Sequence, residues 1–590
     1  MHVATIKRRH GDREYVSHLL RHSYREDGKV RHKTLGNLSH LPPEVVELVR
    51  EALRGGGAGP GSPEGPDAAG GGGEPGGQGG RGQIEVTRSL PHGHLAALVG
   101  LADRLGLVEM LGPACRERDL ALAMICSRVM RPDSKAACAR YWRHTSLGED
   151  LGIQSAGPDE CYRAMDWLVA RQDQIEAQLA ARHLGEGELV YYDLSGSYLE
   201  GRRCPLAARG YSRDGKQGKL QITYGLVCDP EGRPVAIKAH PGNTADPATL
   251  GVAVSALRER CGLSRVVVVG DRGMITSARV RALRDLGGVD WITALRGPEI
   301  KALAAGGQLQ LSLLDEADLA EVSSPDYPGE RLVVCLNRAL RSERARKRLE
   351  LLEATEADLE RLVARVKAGR LKDPGKIGLA AGRVVDRFKM RKHFDLEIGP
   401  GQFAYRRKAE QVSAEAALDG LYVIRSSVAG ERLGAGELVG AYKGLARVER
   451  AFRSIKSVDL EIRPVHHHLE GRVRAHLLIC MLAYYLTWHL RRAWAPLTFT
   501  DQAPPERTDP VAKAARSAAA TRKASTGRTT DGLAAHSFGE IIDILGTLTR
   551  NTLRLPGAGQ IEVLATPNDI QRRAFELLEL PIPMRLVARS

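Results

Sequence analysis

Arg265-Val-Val-Val-Val-Gly-Asp-Arg-Gly-Met-Ile275 sets four consecutive valines before a carboxylate. A short β-branched run bounded by Gly reads as a strand buried on both faces, the kind found in parallel sheets. Leu189-Val-Tyr-Tyr-Asp-Leu194 has the same form and carries Asp193 as the first run carries Asp271. Each Asp is expected where its strand ends, at the carboxyl edge of the sheet, where α/β folds place ligands. Either Asp alone also suits a turn or a helix cap. Two such strand ends in one sheet favour a site.

Outward from these strands the chain alternates. Leu220–Cys228 and Pro234–Ala239 read as paired strands around Asp229-Pro-Glu-Gly232. Helices are expected over 247–260 and 277–286, with a strand at 290–295. The result is a mixed α/β sheet with flanking helices, its first part at 188–297. The interval 298–418 reads as a large insertion. Within it Ala345, Leu349, Leu352, Leu359, Val363 and Val366 form one stripe and predict a helical hairpin arm. Gly420-Leu-Tyr-Val-Ile-Arg425 resumes the sheet, and 419–495 completes the core with helices over 437–456 and 471–490.

Residues 1–53 read as a small basic unit: a hairpin of Tyr15–Tyr24 and Lys29–Leu35 around Glu26-Asp-Gly28, then a helix over 42–50. Residues 54–84 are a Gly-rich linker reaching ~30 Å. Residues 85–187 are helical, with a basic, aromatic segment at 131–144 that suits DNA contact or plain packing. Residues 496–590 read as a tail, disordered over 503–532, with a last helix from Asn568 to Leu580.

The 590 residues include 86 Lys+Arg against 71 Asp+Glu, a formal charge of +15. That balance favours a polyanion partner, nucleic acid first. Aromatics are only 5%, so a base-stacking platform does not dominate. The longest apolar run, Leu477 to Leu490, is short of the ~20 residues of a membrane span. No signal-peptide pattern opens the chain. The nine cysteines include no C-x-x-C pair, which fits a reducing cytoplasm and neither zinc nor disulfides.

A third carboxylate follows from helix periodicity. Tyr442, Leu445, Glu449, Phe452 and Lys456 step by three and four, so Glu449 shares an apolar, inward face. An ionised carboxylate there is costly unless paired or metal-bound. The plainer reading is a surface pair with Arg453 at i+4. Two Asp and a Glu brought together suit Mg²⁺ (or Mn²⁺), a hard ion that takes carboxylate oxygens. Two such ions ~4 Å apart can drive phosphodiester displacement.

Four segments together resemble the DDE-type insertion-sequence transposases of the group named for insertion sequence four. They are Tyr192-Asp-Leu-Ser-Gly-Ser-Tyr-Leu-Glu200, Gly210-Tyr-Ser-Arg-Asp214 with Pro241-Gly-Asn-Thr-Ala-Asp246, Val268-Val-Gly-Asp-Arg-Gly-Met-Ile275, and the stretch from Tyr442 to Lys456. The family signature Tyr-x2-Arg-x3-Glu-x6-Lys falls on Tyr442, Glu449 and Lys456, with Leu445 in the Arg position and Arg447 two residues on. Spacings of 78 residues from Asp193 to Asp271 and 178 from Asp271 to Glu449 match the group.

The resemblance implies an RNase H-like core. Asp193, Asp271 and Glu449 would hold two Mg²⁺ ions, and Tyr442, Arg447 and Lys456 would hold phosphates. Arg272, Arg213 and Lys216 would add DNA contacts. It further implies terminal inverted repeats and target DNA as partners, a homodimer in the synaptic complex, and an insertion that helps grip the transposon end. An RNase H-like nuclease without strand transfer and a domesticated, non-catalytic DNA-binding protein are the alternatives. Gly210–Lys216 mimics a phosphate loop, but Gln217 stands where Ser or Thr should be, so no nucleotide cofactor is expected. His466, His467 and His468 are adjacent and read as a loop with one His facing the core, while Glu200 reads as a supporting carboxylate.

Overall fold

The computed structural model describes residues 2–10, 13–26, 29–39, 46–47, 50, 84–309, 314, 318–506, 509–555 and 559–586. It divides into two units, residues 1–80 and 81–590. The linker at 54–83 and most of the helix expected over 42–50 lie outside the described residues.

In the first unit β1 (His2–His10), β2 (Arg13–Glu26) and β3 (Lys29–Asn37) form an antiparallel sheet in that order. The hairpin expected from sequence is β2 and β3. The third strand, β1, is too rich in charge to announce itself, and is held by pairing along β2 from His2↔Arg21 to His10↔Arg13.

The second unit opens with β4 (Glu85–Pro91), followed by helices at Gly93–Arg104, Arg116–Met130, Lys135–Trp142, Pro158–Val169 and Gln172–His183. The aromatic segment at 131–144 turns inward: Trp142 is fully buried and its indole N–H donates to Ser127 Oγ (2.8 Å). Its Trp therefore packs the core instead of stacking on bases.

The central sheet follows. β5 (Leu189–Tyr198), β6 (Gln221–Cys228) and β7 (Pro234–Pro241) form an antiparallel meander. A helix at Asp246–Cys261 leads to β8 (Val266–Val269), which pairs parallel to β5. A second helix, Ser277–Asp285, leads to β9 (Val289–Ala294), parallel to β8. The order β7-β6-β5-β8-β9 is that of an RNase H-like sheet. The free edge of β7 is covered: Ile237 donates to Glu176 Oε1 (3.1 Å) and accepts from Gln172 Nε2 (2.8 Å).

The expected interruption after 297 is shorter than its sequence suggests. β10 (Leu319–Val322) and β11 (Arg331–Leu336) return to the sheet before the arm begins. The arm helix Arg338–Lys367 packs Leu352, Leu359, Leu362 and Val366 against Ile377, Ala381 and Val385 of the helix Pro374–Arg387. Leu349, placed on the stripe by periodicity, is half exposed. A β-ribbon of β12 (Phe394–Gly399) and β13 (Gln402–Arg407) completes the arm. β14 (Leu421–Ser426) then bridges β9 and β11, antiparallel to both.

The helix Glu470–Ala493 is apolar nearly all round and accordingly buried. The tail is ordered where disorder was expected. Ser517 caps the helix Ala518–Thr526, and the Lys523 ammonium donates to the carbonyls of Thr498 (2.9 Å) and Ala495 (3.2 Å). β15 (Thr549–Leu555) and β16 (Gly559–Leu564) form one sheet with β4, so the two ends of this unit fold together. The last helix is Asp569–Leu577.

Candidate catalytic site

Asp193 is not at the end of its strand. β5 continues to Tyr198 because β6 pairs with it throughout, Asp193 lying opposite Leu226. The parallel partner is what ends: β8 pairs only with Leu189–Tyr191 and stops at Val269. Asp193 is therefore two residues beyond the parallel pairing on one strand, and Asp271 two residues beyond it on the other. Asp271 also serves its own turn, its Oδ1 accepting from the N–H of Met274 (2.8 Å) and Gly273 (3.0 Å).

Glu449 reaches the same place from a broken helix. The expected helix over 437–456 is three pieces: Ala435–Lys443, Leu445–Arg453 and a wider π turn at Ser454–Val458. The break has a cause. The Tyr191 hydroxyl donates to the Ala441 carbonyl (3.0 Å), and a Cβ at Gly444 would lie 2.0 Å from that hydroxyl oxygen. The buried face of the second piece is Leu445, Val448, Ala451 and Phe452. That stripe centres on Val448 and Ala451, so Glu449 lies at its edge and is exposed, not inward as the spacing suggested. It does not pair with Arg453 either; Glu449 has no hydrogen bond or ion pair among the described residues.

Asp271 and Glu449 both act on Asp193. Burial, with the charges of Asp271 and Glu449 added, pushes Asp193 up to about 7, against the bond it accepts from the Leu194 N–H and the charge of Arg213. Burial first, then Asp271 and Glu449, also raises the Tyr442 hydroxyl, with Arg272 opposing. Tyr442, Arg272 and Arg213 therefore belong to this neighbourhood. Lys216 is exposed on the loop beyond Arg213.

Two expected contacts are placed differently. Arg447 donates to the Pro230 carbonyl at the β6–β7 turn. It is absent from the charges that act on Asp193. Leu445, in the signature's Arg position, is core. Lys456 is held inside: its ammonium pairs with Asp214 (2.6 Å) and donates to Ser195 Oγ (3.2 Å), while Arg463 pairs with the same Asp214 oxygen (2.5 Å). Asp214, expected from sequence as a carboxylate that supports the loops, has a side chain 1% exposed. Glu200 pairs with Lys219 (2.9 Å) at the surface. The paired motif segments touch backbone to backbone, since a Cβ at Gly210 would lie 2.2 Å from the Gly242 carbonyl oxygen.

Among the described residues no three His, Cys, Asp or Glu side chains are drawn together tightly enough to enclose an ion. The donor chemistry nevertheless fits a hard divalent cation. Asp193 is half-buried near two other carboxylates, and Glu449 faces solvent without a partner among the described residues. Next to Tyr442 and Arg272 a cleft of about 690 Å³ opens toward the arm. Arg344, Lys301 and Lys389 line it without a carboxylate partner among the described residues, while Asp419 binds Arg348 and Glu415 binds Lys392 and His393. Cys115, Cys126, Cys138, Cys161, Cys204, Cys228, Cys335 and Cys480 are free thiols, and no described helix is long and apolar enough to cross a membrane.

Comparison with known proteins gives the following. A family model described as transposase DDE domain matches residues 200–486, and one described as IS1634 family transposase, N-terminal domain, matches residues 3–61. Neither match names the insertion-sequence-four group. No curated protein matches. A cryo-EM structure of the piggyBac transposase synaptic complex with hairpin DNA aligns at a TM-score of 0.32 and 10% identity, covering 69% of this chain and 78% of that one. The Mos1 transposase paired-end complex with left transposon end aligns at 0.13 and 13%, covering 47% and 78%. The two family matches, one over the region that carries Asp271 and Glu449 and one over the N-terminal sheet, support a DDE insertion-sequence transposase.

Proposed function

We propose that this transposase binds the terminal inverted repeats of its own element, cuts DNA there and joins the 3′ ends to target DNA, with Asp193, Asp271 and Glu449 as the catalytic carboxylates. The observation that supports this reading is a convergence across 256 residues of sequence: the charges of Asp271 and Glu449, from separate segments, both raise Asp193. Divalent cations held there, Mg²⁺ or Mn²⁺ and two in number, would supply polarisation of the attacking and leaving oxygens of a phosphodiester.

The chain's own residues do the rest. Arg213 and Arg272 place positive charge beside the acids, where a phosphate must approach against carboxylate repulsion. Tyr442 keeps its proton, because burial and two anions raise its hydroxyl, and so presents a neutral donor. Lys456 anchors the Asp214 carboxylate beneath Ser195 and keeps β5 in place. The cleft lined by Arg272, Arg344 and Lys301 suits the DNA end, with the arm helix as one wall. Two ends held together call for a homodimer.

The test uses a labelled element end and a supercoiled target plasmid with Mg²⁺. Joined product supports the transposase reading. Cleavage without joining leaves an RNase H-like nuclease, and binding without cleavage leaves a non-catalytic DNA-binding protein.

A further inference from the structure

A second cavity, of about 460 Å³, lies among Arg128, Ser134, Lys135, Arg463, His467 and His476. It is apart from the carboxylates. The segment 461–467 that forms one wall joins β5 at its far end, Val465 donating to the Tyr198 carbonyl (3.1 Å) and Glu200 to the Val465 carbonyl (2.9 Å). Tyr198 is five residues from Asp193, ~17 Å along the strand.

The cavity is short of negative charge. Lys135 is 5% exposed and makes no hydrogen bond or ion pair among the described residues. Burial, and then Arg128, lower its ammonium to about 8, and three thiols raise it. Arg128 is 7% exposed and donates only to carbonyls, of Asp133 (3.2 Å) and Leu460 (3.5 Å). Two cations buried side by side without a counter-ion are unfavourable as they stand. Lys135 also opens the helix Lys135–Trp142, whose first N–H groups add positive potential, Ser134 accepting only from Ala137 (3.2 Å).

The opposing groups are few. Asp133 Oδ1 is taken by the Ser134 N–H (2.7 Å), and Glu461 faces solvent. His467 and His476 are held neutral by burial. His476 Nε2 donates to the Ile462 carbonyl (3.1 Å), leaving Nδ1 without a donor and open to a hydration water.

We propose that this cavity is a phosphate-binding subsite in which Lys135 and Arg128 hold a phosphoryl group, supplied by a backbone phosphate of bound DNA. The transposase reading matters only to the source of the phosphate; the anion site stands on the cavity itself. A single phosphate contact of this kind is indifferent to sequence.

The experiment uses the full chain as wild type, Lys135→Met and Lys135→Arg, with Lys135→Gln replacing the Met variant if that one fails to fold. Inorganic phosphate is titrated against chloride at matched ionic strength while Tm is read, and binding to a random-sequence duplex is measured across a salt series. Wild type and Lys135→Arg should gain Tm with phosphate, and Lys135→Met should not. Lys135→Met should also lose about one from the slope of log affinity against log salt. A phosphate response lost in Lys135→Met with DNA binding unchanged keeps the subsite and makes free phosphate its source. An equal phosphate gain in wild type and Lys135→Met, or no gain in wild type with an unchanged salt slope in the variant, overturns the proposal. If wild type binds no DNA at all, the transposase reading fails, and the phosphate arm alone judges the cavity.

Discussion

Asp193 and Asp271 stand at the same offset from one parallel ladder: Tyr191 pairs with Val269, and each Asp lies two residues further on, Asp193 within β5 and Asp271 in the turn after β8. The separation of 78 residues in sequence is the offset of that ladder. A half-buried Asp193 facing two other acids is a site that gains by taking up a cation. Mg²⁺ should therefore raise Tm of the wild type, by about 1.4 kcal/mol of stability at ten times its Kd. Asp193→Asn and Asp271→Asn should lose that gain. Calorimetry with and without Mg²⁺ checks this, and an undiminished gain in both variants would remove the metal from this site.

Tyr191 and Gly444 fix the break that delivers Glu449. Gly444→Ala would set a methyl 2.0 Å from the Tyr191 hydroxyl oxygen, and should destabilise by about 1–3 kcal/mol through overpacking. Tyr191→Phe alone should lose about 1 kcal/mol with its bond to Ala441. The double variant should be less destabilised than the sum of the two, since removing the hydroxyl relieves the clash. Strict additivity in urea melts would mean the two residues do not meet.

Asp214 holds two cations in the interior. Asp214→Ala leaves Lys456 and Arg463 without their shared carboxylate and should cost about 3–5 kcal/mol. Asp214→Ala with Lys456→Met should recover part of it. If Asp214→Ala melts like wild type, Lys456 is turned elsewhere in solution.

Acid should destabilise the fold through its buried histidines. Burial pushes His94 down to about 4, while its unfolded value is near 6.5. The folded pKa is depressed, so the unfolded chain binds the extra proton. Stability is full above about pH 6.5 and falls as pH drops toward 4, by on the order of 3 kcal/mol for this residue. His183, also at about 4, and His467 and His489, at about 3, act in the same direction, burial being the first cause in each. Urea melts near pH 7.5 and near pH 5 should differ strongly, and His94→Leu should flatten the difference. A pH-independent midpoint would contradict burial of the neutral ring.

The parallel strands were legible because Val266–Val269 and Leu189–Tyr191 are buried on both faces and so show as unbroken apolar runs. The extension of β5 past Asp193 was not, since Ser195, Gly196 and Ser197 are small and polar and owe their strand state to pairing with β6. Helix periodicity set Glu449 on the same face as Leu445 and Phe452, but the buried stripe of that piece is centred on Val448 and Ala451, which leaves Glu449 at its exposed edge. The centre of the stripe is set by what packs against the helix, which the spacing alone does not show. The order of the tail was hidden for a similar reason. Its Ala-, Thr- and Lys-rich composition lacks an apolar pattern, and what holds it is Lys523 against carbonyls at the end of the helix Glu470–Ala493.

The most direct measurement is Mg²⁺-dependent cleavage of one labelled element end by wild type, Asp193→Ala, Asp271→Ala and Glu449→Ala, with binding to the same end followed in parallel. Each variant should lose at least ~100-fold in cleavage, since these groups act mainly in the transition state. Each should bind the uncut end as tightly as wild type or slightly more tightly, because a carboxylate repels phosphate and affinity comes from basic residues elsewhere. Glu449→Ala cutting at the wild-type rate would show that the third carboxylate is another residue, and cleavage surviving in all three variants would contradict the catalytic site itself.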